Sequence, residues 1–348
     1  MFHFFPRYTK DASDTPFGSE LRRLGVPHRF FGAVLSHRYR SRLELLFVIH
    51  SKLLWFSLRN AWRSLVTSRP APTVVVINSD VETLVFGLFR WVLRRRVLIV
   101  FETFIFVPKG GWLGRLHQRY IALILRIADV AICHARLEVA ACQRHFPRAR
   151  ARFVFVPYGT TLTHRQDLMA RHAAAAEAGD VVVSAGKSGR DYATLARGAE
   201  GLPCHVQIIC DFAAPVAALR HSDRLQVLRD CYGNDYLEAL ARAKIVVIPL
   251  AVNDISAGQM VLLQAFALKK PVIITRTLTT EDYAVDGEDV LMVPMGDADA
   301  MRLALQRLLT DDALRRRLAD QGERRFVEVN STEAYVRHLV AMVRELGV

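Results

Sequence analysis

The pattern of hydrophobic and polar positions along the chain predicts short buried strands separated by helices. Apolar runs rich in Val and Ile are typical of strands covered on both faces, and longer stretches with apolar positions three and four apart are typical of helices. The predicted strands are 73–77, 97–101, 130–133, 153–156, 181–184, 206–210, 245–248, 272–274 and 290–293, and the predicted helices are 82–93, 112–128, 135–145, 190–200, 234–242 and 259–268. Strands that alternate with helices indicate parallel sheets with helices on both faces.

The length of the chain and the order of these elements predict two domains. The 348 residues exceed what a single hydrophobic core usually organises. The alternating pattern falls into two halves with a junction near 157–160, so we expect an α/β protein made of two Rossmann-like, doubly wound domains. Ligands of such sheets bind at the carboxyl ends of the strands. A central cleft between the two domains is therefore the expected site.

Composition narrows the class of protein and its compartment. Apolar residues make up 51% of the chain and charged residues 23%, as expected of a globular protein. The cysteines have no Cys-x-x-Cys spacing, which favours a reducing compartment over a disulfide framework or a zinc site. The first residues show no basic region followed by an adequate apolar stretch, so we predict no signal peptide and a cytoplasmic location.

The positive charge is concentrated in the first half of the chain. Residues 1–170 contain 26 Lys and Arg against 10 Asp and Glu, and residues 171–348 contain 21 against 24. An apolar run over 43–58 lies in this basic half, but Glu44, His50 and Lys52 interrupt it, so it is too short and too polar to span a bilayer. The arginines that flank the run are Arg38, Arg40, Arg42, Arg59 and Arg63.

Two interpretations of this basic segment stay open. A basic amphipathic helix that lies on an anionic membrane fits the pattern. An ordinary helix with one face in the core and snorkelling arginines fits it as well. We expect no nucleic-acid partner, because the chain has no recognisable nucleic-acid-binding motif and no clear interleaving of aromatic and basic residues.

A polar loop, a buried helix and a buried strand follow one another in the second half with only a turn between them. The helix is apolar on nearly every face except at Gln264, whose amide needs partners from the protein or from a ligand hydroxyl. Ahead of the helix, Ala257 and Gly258 are small enough to let a ligand approach the N–H groups of the first turn. In the alternative interpretation, Ser256 and Gln259 form a capping box and nothing more.

Four segments of the second half follow one another along the chain: 184–192, 236–249, 256–275 and 281–294. Together and in this order, they resemble the C-terminal domain of a GT-B glycosyltransferase, most similar to glycosyltransferase family 4. They resemble, in turn, the basic loop after the first strand, the helix and strand that lead to the donor loop, the donor-binding helix with its following strand, and the closing segment. The resemblance implies a nucleotide-sugar donor, here expected to be a UDP-sugar, and a last helix over 331–346 that crosses back to the first domain.

The resemblance also implies which residues hold the donor. The expected donor-binding residues are Gly186, Lys187, Arg190, Tyr232, Ser256, Ala257, Gly258, Gln259 and Gln264. Lys187 and Arg190 follow a buried strand at the opening of a helix, where fixed cations would stabilise the charge that develops on the leaving diphosphate. In the alternative, Ser188-x-x-Asp191 caps the helix and the basic residues are merely solvated.

This chain departs from the family pattern at three positions. The family places two glutamates on either side of seven residues, and Ser256 and Gln264 stand there instead. An amide at 264 can still bridge two hydroxyls without a charge, but a hydroxyl at 256 cannot replace a carboxylate. Lys270 stands where the family has the glycine of Gly-x-Pro. Weakened donor binding, a different donor and loss of activity all remain open.

The first half resembles its family counterpart less. Segments 3–8 and 17–25 fit an opening strand, loop and helix, although the Gly-Gly loop typical there is missing. Glu102 follows a predicted strand near the position where many relatives carry a histidine facing the cleft. It is predicted either to act as a general base on an acceptor hydroxyl, which suits an inverting reaction, or to cap a neighbouring loop.

Other polar residues are expected to be structural. His117, His134 and His145 fall in helices or at strand ends, and Asp297-Ala-Asp299 imitates a metal-binding pair but stands where a helix cap is expected. Enzymes of the resembled fold do not generally need a metal for catalysis. No metal and no other cofactor is therefore predicted, and the nucleotide-sugar is a co-substrate.

These expectations combine into one predicted function. The chain is expected to be a metal-independent hexosyltransferase with an acceptor-binding domain (1–160), a donor-binding domain (161–330) and a terminal helix (331–348). The acceptor would be a lipid or lipid-linked saccharide at the inner face of the cell membrane, in polysaccharide or glycolipid synthesis. The alternatives are a nucleotide-sugar epimerase of the same fold and a non-catalytic membrane-associated binding protein. The sugar, the base, the acceptor, the stereochemistry and the oligomeric state stay open.

Overall fold

A computed structural model describes residues 1–35, 50–217, 219, 222–253 and 256–347 of the chain. The chain divides into two compact units. The N-terminal unit comprises Met1–Val156 together with Tyr335–Val348, and the C-terminal unit comprises Pro157–Ala334.

The N-terminal unit is built on a parallel sheet of six strands, in the order β3-β1-β5-β6-β7-β8. A short antiparallel pair, β2 and β4, lies beside it. The strands are β1 Phe2–Phe4, β2 Tyr8–Thr9, β3 His28–Phe30, β4 Ala33–Val34, β5 Val74–Ile77, β6 Leu98–Phe101, β7 Val130–Cys133 and β8 Arg152–Phe155. Every residue of β5 and β7 is buried, because helices cover both faces of a parallel sheet.

Helices on both faces of this sheet complete the N-terminal unit. They are α1 Pro16–Arg23, α2 His50–Ala61, α3 Asp80–Val92, α4 Gly111–Ile127 and α5 Arg136–His145, and α2 runs on into a π-helical segment, Trp62–Thr67. The first part of the predicted basic helix, 36–49, lies outside the described residues. The helical part that is described, α2, packs against α3, which packs in turn against α4.

The C-terminal unit is built on a second parallel sheet of six strands, in the order β11-β10-β9-β12-β13-β14. The strands are β9 Val181–Ala185, β10 His205–Ile209, β11 Leu225–Leu228, β12 Ile245–Ile248, β13 Val272–Thr275 and β14 Leu291–Val293. The chain builds the sheet outward from β9 through β10 to β11, and then returns to the other side of β9 to add β12. The direction of winding reverses between β9 and β12, so this is the topological switch point of the sheet.

The helices of the C-terminal unit include one that is covered on nearly all sides. They are α6 Arg165–Ala178, α7 Tyr192–Ala199, α8 Ala213–Val216, α9 Gly233–Arg242, α10 Gln259–Ala267, α11 Ala298–Thr310 and α12 Asp312–Arg325, and α13 Thr332–Glu345 follows. On α10, Phe266 packs so closely against α12 that a Cβ at Gly322 would lie 2.5 Å from its ring. The apolar sequence of α10 is explained by this packing between sheet and α12.

The last helix belongs mainly to the N-terminal unit. Its apolar residues Val336, Leu339 and Val343 are fully buried and pack in the same core as Phe2 and Phe4 of β1. Among its polar residues, Arg337 pairs with Glu20 of α1 at 3.1 Å. The return of the chain end therefore completes the hydrophobic core beneath the first strand.

The predicted strands and helices are confirmed, with boundaries that shift by one or two residues. The predicted helix 190–200 begins only at Tyr192, because the side chain of Asp191 caps it. The conformation typical of glycine at the end of α10 occurs at Lys269, whose φ is +55°, and not at Lys270. The glycine of the Gly-x-Pro pattern therefore corresponds to Lys269, and its placement at Lys270 is wrong.

Candidate functional site

Two loops meet at the carboxyl edge of the C-terminal sheet, at its switch point. One follows β9 and the other follows β12. Backbone hydrogen bonds join them: the Asp191 N–H donates to the Pro249 carbonyl at 3.0 Å, and the Ala251 N–H donates to the Gly189 carbonyl at 2.8 Å. Switch points of doubly wound sheets are where such folds bind their ligands. The joined loops form the floor of a candidate site, which we call the switch-point site.

The start of α10 lies at this site and presents backbone N–H groups. Gly258 immediately precedes the helix with a φ of +86°, and a Cβ there would lie 2.8 Å from Cγ2 of Ile248. Within the described part of the chain no side chain caps α10. The N–H groups of its first turn have no intrahelical acceptor, and the helix dipole favours an anion beside them.

The predicted capping box is wrong. The residue that occupies the cap position is Gly258, so Ser256 lies two residues too early to accept a hydrogen bond in that geometry. Its hydroxyl oxygen is shielded from solvent and has no hydrogen-bond partner among the described residues. Ala257 between them is buried, as expected of a small residue beneath a ligand.

Gln264 has a protein partner that the sequence did not identify. The hydroxyl of Tyr236, in the first part of α9, donates a hydrogen bond of 2.8 Å to Oε1 of Gln264. Burial raises the pKa of Tyr236, so the hydroxyl keeps its proton and acts as a donor. The bond fixes the orientation of the amide and leaves its NH2 group and a second lone pair for other partners.

Arg190 is turned towards its own loop. Its Nε donates to the Ala185 carbonyl at 2.8 Å and its Nη1 to the Ser188 carbonyl at 2.9 Å. A Cβ at Gly186 would lie 2.5 Å from Nη2, so only glycine lets the guanidinium approach the backbone this closely. Desolvation lowers the pKa of Arg190 from its usual value, but an arginine remains charged. Arg190 therefore supports the loop beneath the position that was predicted to bind diphosphate.

The alternative prediction, that Ser188-x-x-Asp191 caps the helix, is correct for Asp191 and wrong for Ser188. Asp191 caps α7 by accepting a hydrogen bond of 3.0 Å from the Thr194 N–H. Ser188 takes no part in the cap; its carbonyl is held by Arg190. The helix cap and the orientation of Arg190 thus come from the same short loop.

Lys187 is exposed and lies over an aromatic ring. Its Nζ is 4.5 Å from the centroid of Phe212, which follows β10 and is half exposed. Beside it, the exposed Tyr232 hydrogen-bonds through its hydroxyl to Asp211. An ammonium held over a ring is positioned without losing its capacity to bind an anion. Lys187, Phe212 and Tyr232 form an outer rim on the β10 side of the sheet.

Sequence reasoning missed Tyr236 and Phe212. Phe212 follows closely on the end of β10, and side chains after strand ends in this sheet meet at the ligand edge. That position was a signal in the sequence. No sequence pattern pointed to Tyr236, because it pairs with Gln264, which is 28 residues away and on another helix.

Glu102 lies at the carboxyl edge of the N-terminal sheet, directly after β6. The side chains of Asn78, Tyr335 and Glu82 lie close enough to act on its carboxylate. Glu82 itself pairs with Arg7 at 2.5 Å. Burial raises the pKa of Glu102 above its usual value, and the Glu82 charge adds to the shift. A carboxylate with a raised pKa is a stronger base once it has lost its proton.

The histidines of the N-terminal unit make structural contacts. His134, which follows β7, has one ring nitrogen 2.9 Å from the Val156 carbonyl and the other 3.3 Å from the Thr103 hydroxyl. Burial lowers its pKa, so the neutral ring is favoured. The rings of His117 and His145 lie 6.1 and 5.5 Å from that of Phe106. These contacts agree with the prediction that all three are structural.

The predicted helix cap at Asp297 is confirmed. Its carboxylate accepts a hydrogen bond of 2.8 Å from the Ala300 N–H at the start of α11. Across the described ranges, no group of three or more His, Cys, Asp or Glu side chains is arranged to hold a metal ion. None of the helices described in those ranges is long and apolar enough to cross a bilayer.

A second candidate surface lies on the N-terminal unit. The chain has four tryptophans, and all of them are exposed on α2, α3, α4 and the π-helical segment. We call this set the tryptophan surface: Trp55, Trp62, Trp91 and Trp112. The guanidinium of Arg59 lies 5.2 Å from the Trp55 ring, and the exposed Arg94–96 follow α3. Exposed indole rings beside arginines are typical of surfaces that contact membrane headgroups.

Comparison with known proteins relates the C-terminal unit to one family. Residues 200–311 match the family described as glycosyl transferases group 1. The match includes α9, β12 and α10, whereas the loop after β9 lies outside it. A 74-residue stretch is 38% identical to the lipopolysaccharide core biosynthesis glycosyltransferase LpsE of Rhizobium meliloti (strain 1021). That stretch covers 21% of this chain and 22% of the relative, so most of the relative's length is unmatched.

Solved structures resemble the whole chain. Sucrose-phosphate synthase from Thermosynechococcus elongatus superimposes with a TM-score of 0.68 at 19% identity, over 99% of this chain and 98% of that one. HepE from Anabaena, in complex with UDP-glucose, gives a TM-score of 0.58 at 11% identity over 99% of both chains. At such identities the likeness shows the fold alone. The chain thus has the GT-B fold, and residues 200–311 match the group 1 glycosyltransferase family.

Proposed function

We propose that this protein is a glycosyltransferase that moves a sugar from a UDP-sugar to a lipid or lipid-linked saccharide at a membrane surface. The observation that carries the proposal is the switch-point site. A group 1 glycosyltransferase segment places the uncapped N-terminus of α10 beside two loops joined at the carboxyl edge of the sheet. UDP as the nucleotide is supported by HepE, which binds UDP-glucose in its crystal structure.

The donor diphosphate would bind at the N-terminus of α10, with Lys187 as its mobile cation. The first-turn N–H groups and the helix dipole favour the phosphate oxygens. Lys187 is exposed and can move from the Phe212 ring to a phosphate. As the bond to the sugar breaks, negative charge grows on the departing UDP, and a cation there stabilises the transition state more than the ground state.

Gln264 would orient the ribose through neutral hydrogen bonds. Its Oε1 is held by Tyr236, and its NH2 group can donate to a ribose hydroxyl while the second lone pair accepts from another. Ser256 offers a shielded hydroxyl without a partner among the described residues, which can donate to or accept from the sugar. Neither residue supplies the negative charge of a glutamate. The donor is therefore held by fewer charges than the family pattern provides.

Glu102 would act as the base on the acceptor hydroxyl. Burial raises its pKa, which makes the carboxylate a stronger base once it has lost its proton. Proton transfer to Glu102 would make the acceptor oxygen a stronger nucleophile, which suits an inverting reaction. No metal ion enters this scheme, because Lys187 and the α10 N-terminus supply the positive charge.

The acceptor and the location of the protein are inferred from the N-terminal unit. The excess of Lys and Arg in residues 1–170 and the tryptophan surface would hold the unit on an anionic membrane, at the inner face. LpsE is a lipopolysaccharide core biosynthesis enzyme, which supports a role in polysaccharide or glycolipid synthesis. The acceptor is then a lipid or a lipid-linked saccharide in that membrane.

Release of the nucleoside diphosphate tests the proposal. The purified protein is mixed with UDP-, GDP- or ADP-sugars and a detergent extract of bacterial membranes, and free diphosphate is measured. We expect release from UDP-sugars only, dependent on the extract, and abolished in the Lys187→Met variant. Absence of release from every sugar nucleotide, with a correctly folded protein, would overturn the assignment of a transferase.

A non-catalytic protein on the same scaffold is the second candidate, because Ser256 and Gln264 replace two carboxylates. The Gln264→Glu variant separates the two functions, since a carboxylate at 264 can still accept the hydrogen bond from Tyr236. For an active transferase we expect Gln264→Glu to change KM for the donor while turnover persists. A wild-type protein that binds UDP without turnover, and gains turnover only in the Ser256→Glu, Gln264→Glu double variant, would instead identify the non-catalytic protein.

A further inference from the structure

A second cavity lies at the opposite, amino edge of the C-terminal sheet. It has a volume of about 250 Å³ and opens to solvent. At about 30 Å³ per water molecule, this is room for a ligand the size of roughly eight waters. Its walls are mainly apolar, with side chains from α6, α12 and the turn that follows α10; they include Met169, Ala173, Ala176, Leu268, Pro271 and Ala319. The switch-point site lies at the other edge of the same sheet, so this cavity is separate from it.

Lys270 is the exceptional residue of this cavity. It precedes β13 and is only 7% exposed, so it is more than nine-tenths buried. Among the residues that the structure describes, its ammonium has no hydrogen-bond or ion-pair partner, and the one charge that acts on it is that of Glu177. A buried lysine that lines a solvent-open cavity without an ionic partner can pair with an anion that enters the cavity.

The other lining cations are Lys244, Lys269, Arg315 and Arg316, and each has a partner, although that of Lys244 is an uncharged carbonyl. Lys244 donates to the Glu177 backbone carbonyl at 2.8 Å, and Lys269 pairs with Asp320 at 2.6 Å. Arg315 is bound to Asp312 at 2.5 Å and to the Leu308 carbonyl. Glu177 is the single carboxylate among the lining residues, and it is half exposed. Lys270 is thus the one buried cation of the lining that has no partner among the described residues.

We propose that this cavity binds a small carboxylate with an apolar body of several carbon atoms, and that the carboxylate pairs with Lys270. Lys270 is the one buried cation of the lining without a partner among the described residues, and a single carboxylate is enough to neutralise it. The apolar walls match a hydrocarbon body and offer few partners to a hydroxyl-rich molecule. Burial lowers the pKa of Lys270 to about 8, so at pH 7 the group still carries its proton in most molecules.

Titration of the intact protein with hexanoate tests this site. Binding is followed by calorimetry and by the rise of the melting temperature with ligand concentration, which reports binding to the folded state. We expect saturable binding of hexanoate and none of 1-hexanol, which has the same body without the charge. Inorganic phosphate is expected to bind at least tenfold more weakly than hexanoate.

Two variants locate the binding. Lys270→Met keeps an unbranched side chain and removes the charge, so it is expected to abolish hexanoate binding; since it removes an unpaired buried charge, the variant should fold at least as stably as the wild type. Lys244→Met is the matched control at the cavity rim and should retain binding within about threefold. A further variant, Glu177→Gln, removes the competing carboxylate and should strengthen binding.

A chemical readout is independent of these variants. Lys270 is labelled with an amine-reactive ester and located by mass spectrometry, and hexanoate is expected to slow its labelling while Lys244 reacts at an unchanged rate. Hexanoate binding that persists in Lys270→Met, or the absence of any hexanoate binding to the wild type, would overturn the proposal. Neither outcome depends on glycosyl transfer, so the proposed function is tested separately.

Discussion

Burial decides what each charged side chain at the carboxyl edges of the two sheets can do. Glu102 is enclosed by Asn78, Tyr335 and Glu82, so its pKa is raised and it can serve as a base. Arg190 is enclosed by its own loop, and two of its N–H groups are used by backbone carbonyls. Lys187 stays exposed over an aromatic ring and keeps its donors available. The same loop thus holds one cation that is used by the protein backbone and one that stays available to a ligand.

The first prediction concerns Glu102→Gln. We expect kcat to fall by roughly 10²- to 10⁴-fold, the usual contribution of a general base. In the wild type, kcat/KM should fall as the pH drops through the raised pKa, and this acidic limb should be absent in the variant. A plot of kcat/KM against pH for both proteins checks this.

Stability provides the control for Glu102. Folding raises the pKa of this carboxyl group. The folded protein therefore becomes less stable as the pH rises from the pKa of the unfolded state, about 4.3, through the pKa of the folded state. At pH 7 the Glu102→Gln variant should therefore unfold at the same or a higher temperature. A variant that is inactive because it has lost its fold would show a lower melting temperature, which would contradict the role as base.

The second prediction contrasts Arg190 with Lys187. Arg190→Ala should lower the free energy of unfolding by about 1–3 kcal/mol, because two backbone carbonyls lose charged donors. Lys187→Met should leave it unchanged, since the side chain is exposed, and should weaken UDP binding by tenfold or more. Urea denaturation and calorimetry measure the two quantities. Equal destabilisation by both substitutions would show that Lys187 is also structural.

At the scale of single residues, the sequence did not determine the contacts of the predicted site residues. Lys187 and Arg190 were grouped as two cations after a strand, and no pattern in the sequence distinguishes them. Their difference depends on the φ of Gly186, +109°, and on the space that this glycine leaves for the guanidinium. Such geometry is set by the loop backbone, which periodicity does not determine.

At the scale of elements, α10 links the hydrophobic core to the candidate site. The helix is buried on nearly all sides, and its first residue stands directly after a glycine in the left-handed region. Its N-terminus is therefore held in a fixed position at the switch point. A fixed helix N-terminus binds an anion without reorganisation of the protein.

The third prediction tests this element by Gly258→Ala. The added Cβ would combine a left-handed φ with a contact of 2.8 Å to Ile248, and we expect a loss of about 1–3 kcal/mol in stability together with weaker UDP binding. Gly287→Ala is the matched control, because its φ is +75° and a Cβ there meets nothing within 4 Å. Both substitutions should destabilise the protein, because each puts an alanine at a positive φ. Only Gly258→Ala should alter the affinity for UDP. An unchanged affinity would place the ligand elsewhere.

The strands and helices could be predicted because a parallel sheet buried on both faces leaves a strong pattern. Runs such as Val74–Ile77 and Ile245–Ile248 have no polar residue, and both are fully buried. The edge strands His28–Phe30 and Leu225–Leu228 were missed, since partly exposed edges tolerate polar residues. The alanine-rich helix Arg165–Ala178 was missed because it has almost no apolar stripe.

At the scale of the whole molecule, charge and exposed aromatic area are both concentrated in the N-terminal unit. The basic excess lies in residues 1–170, and all four tryptophans are exposed on its helices. Large exposed apolar patches commonly mark surfaces that contact a partner or a membrane. Together the two features support a surface that contacts anionic lipid.

The fourth prediction uses the tryptophans as their own reporters. Vesicles that contain phosphatidylglycerol should shift the intrinsic fluorescence to the blue, because every indole of the chain lies on the tryptophan surface. Vesicles of phosphatidylcholine alone should have a much smaller effect, and added salt should reverse the shift as it screens the charges. The Trp91→Ser, Trp112→Ser double variant should bind more weakly. Equal binding to both lipids would contradict an electrostatic contribution from the basic residues.

The central claim is that the switch-point site of the C-terminal unit holds a nucleotide diphosphate, and calorimetric titration with UDP, GDP, ADP and their sugar conjugates tests it most directly. We predict micromolar binding of UDP and UDP-sugars to the wild type and to Glu102→Gln, whose substitution lies in the other unit. Binding should be lost or at least tenfold weaker in Lys187→Met and Gly258→Ala. Absence of binding by every nucleotide, or binding that these two variants leave unchanged, would contradict the assignment of the site.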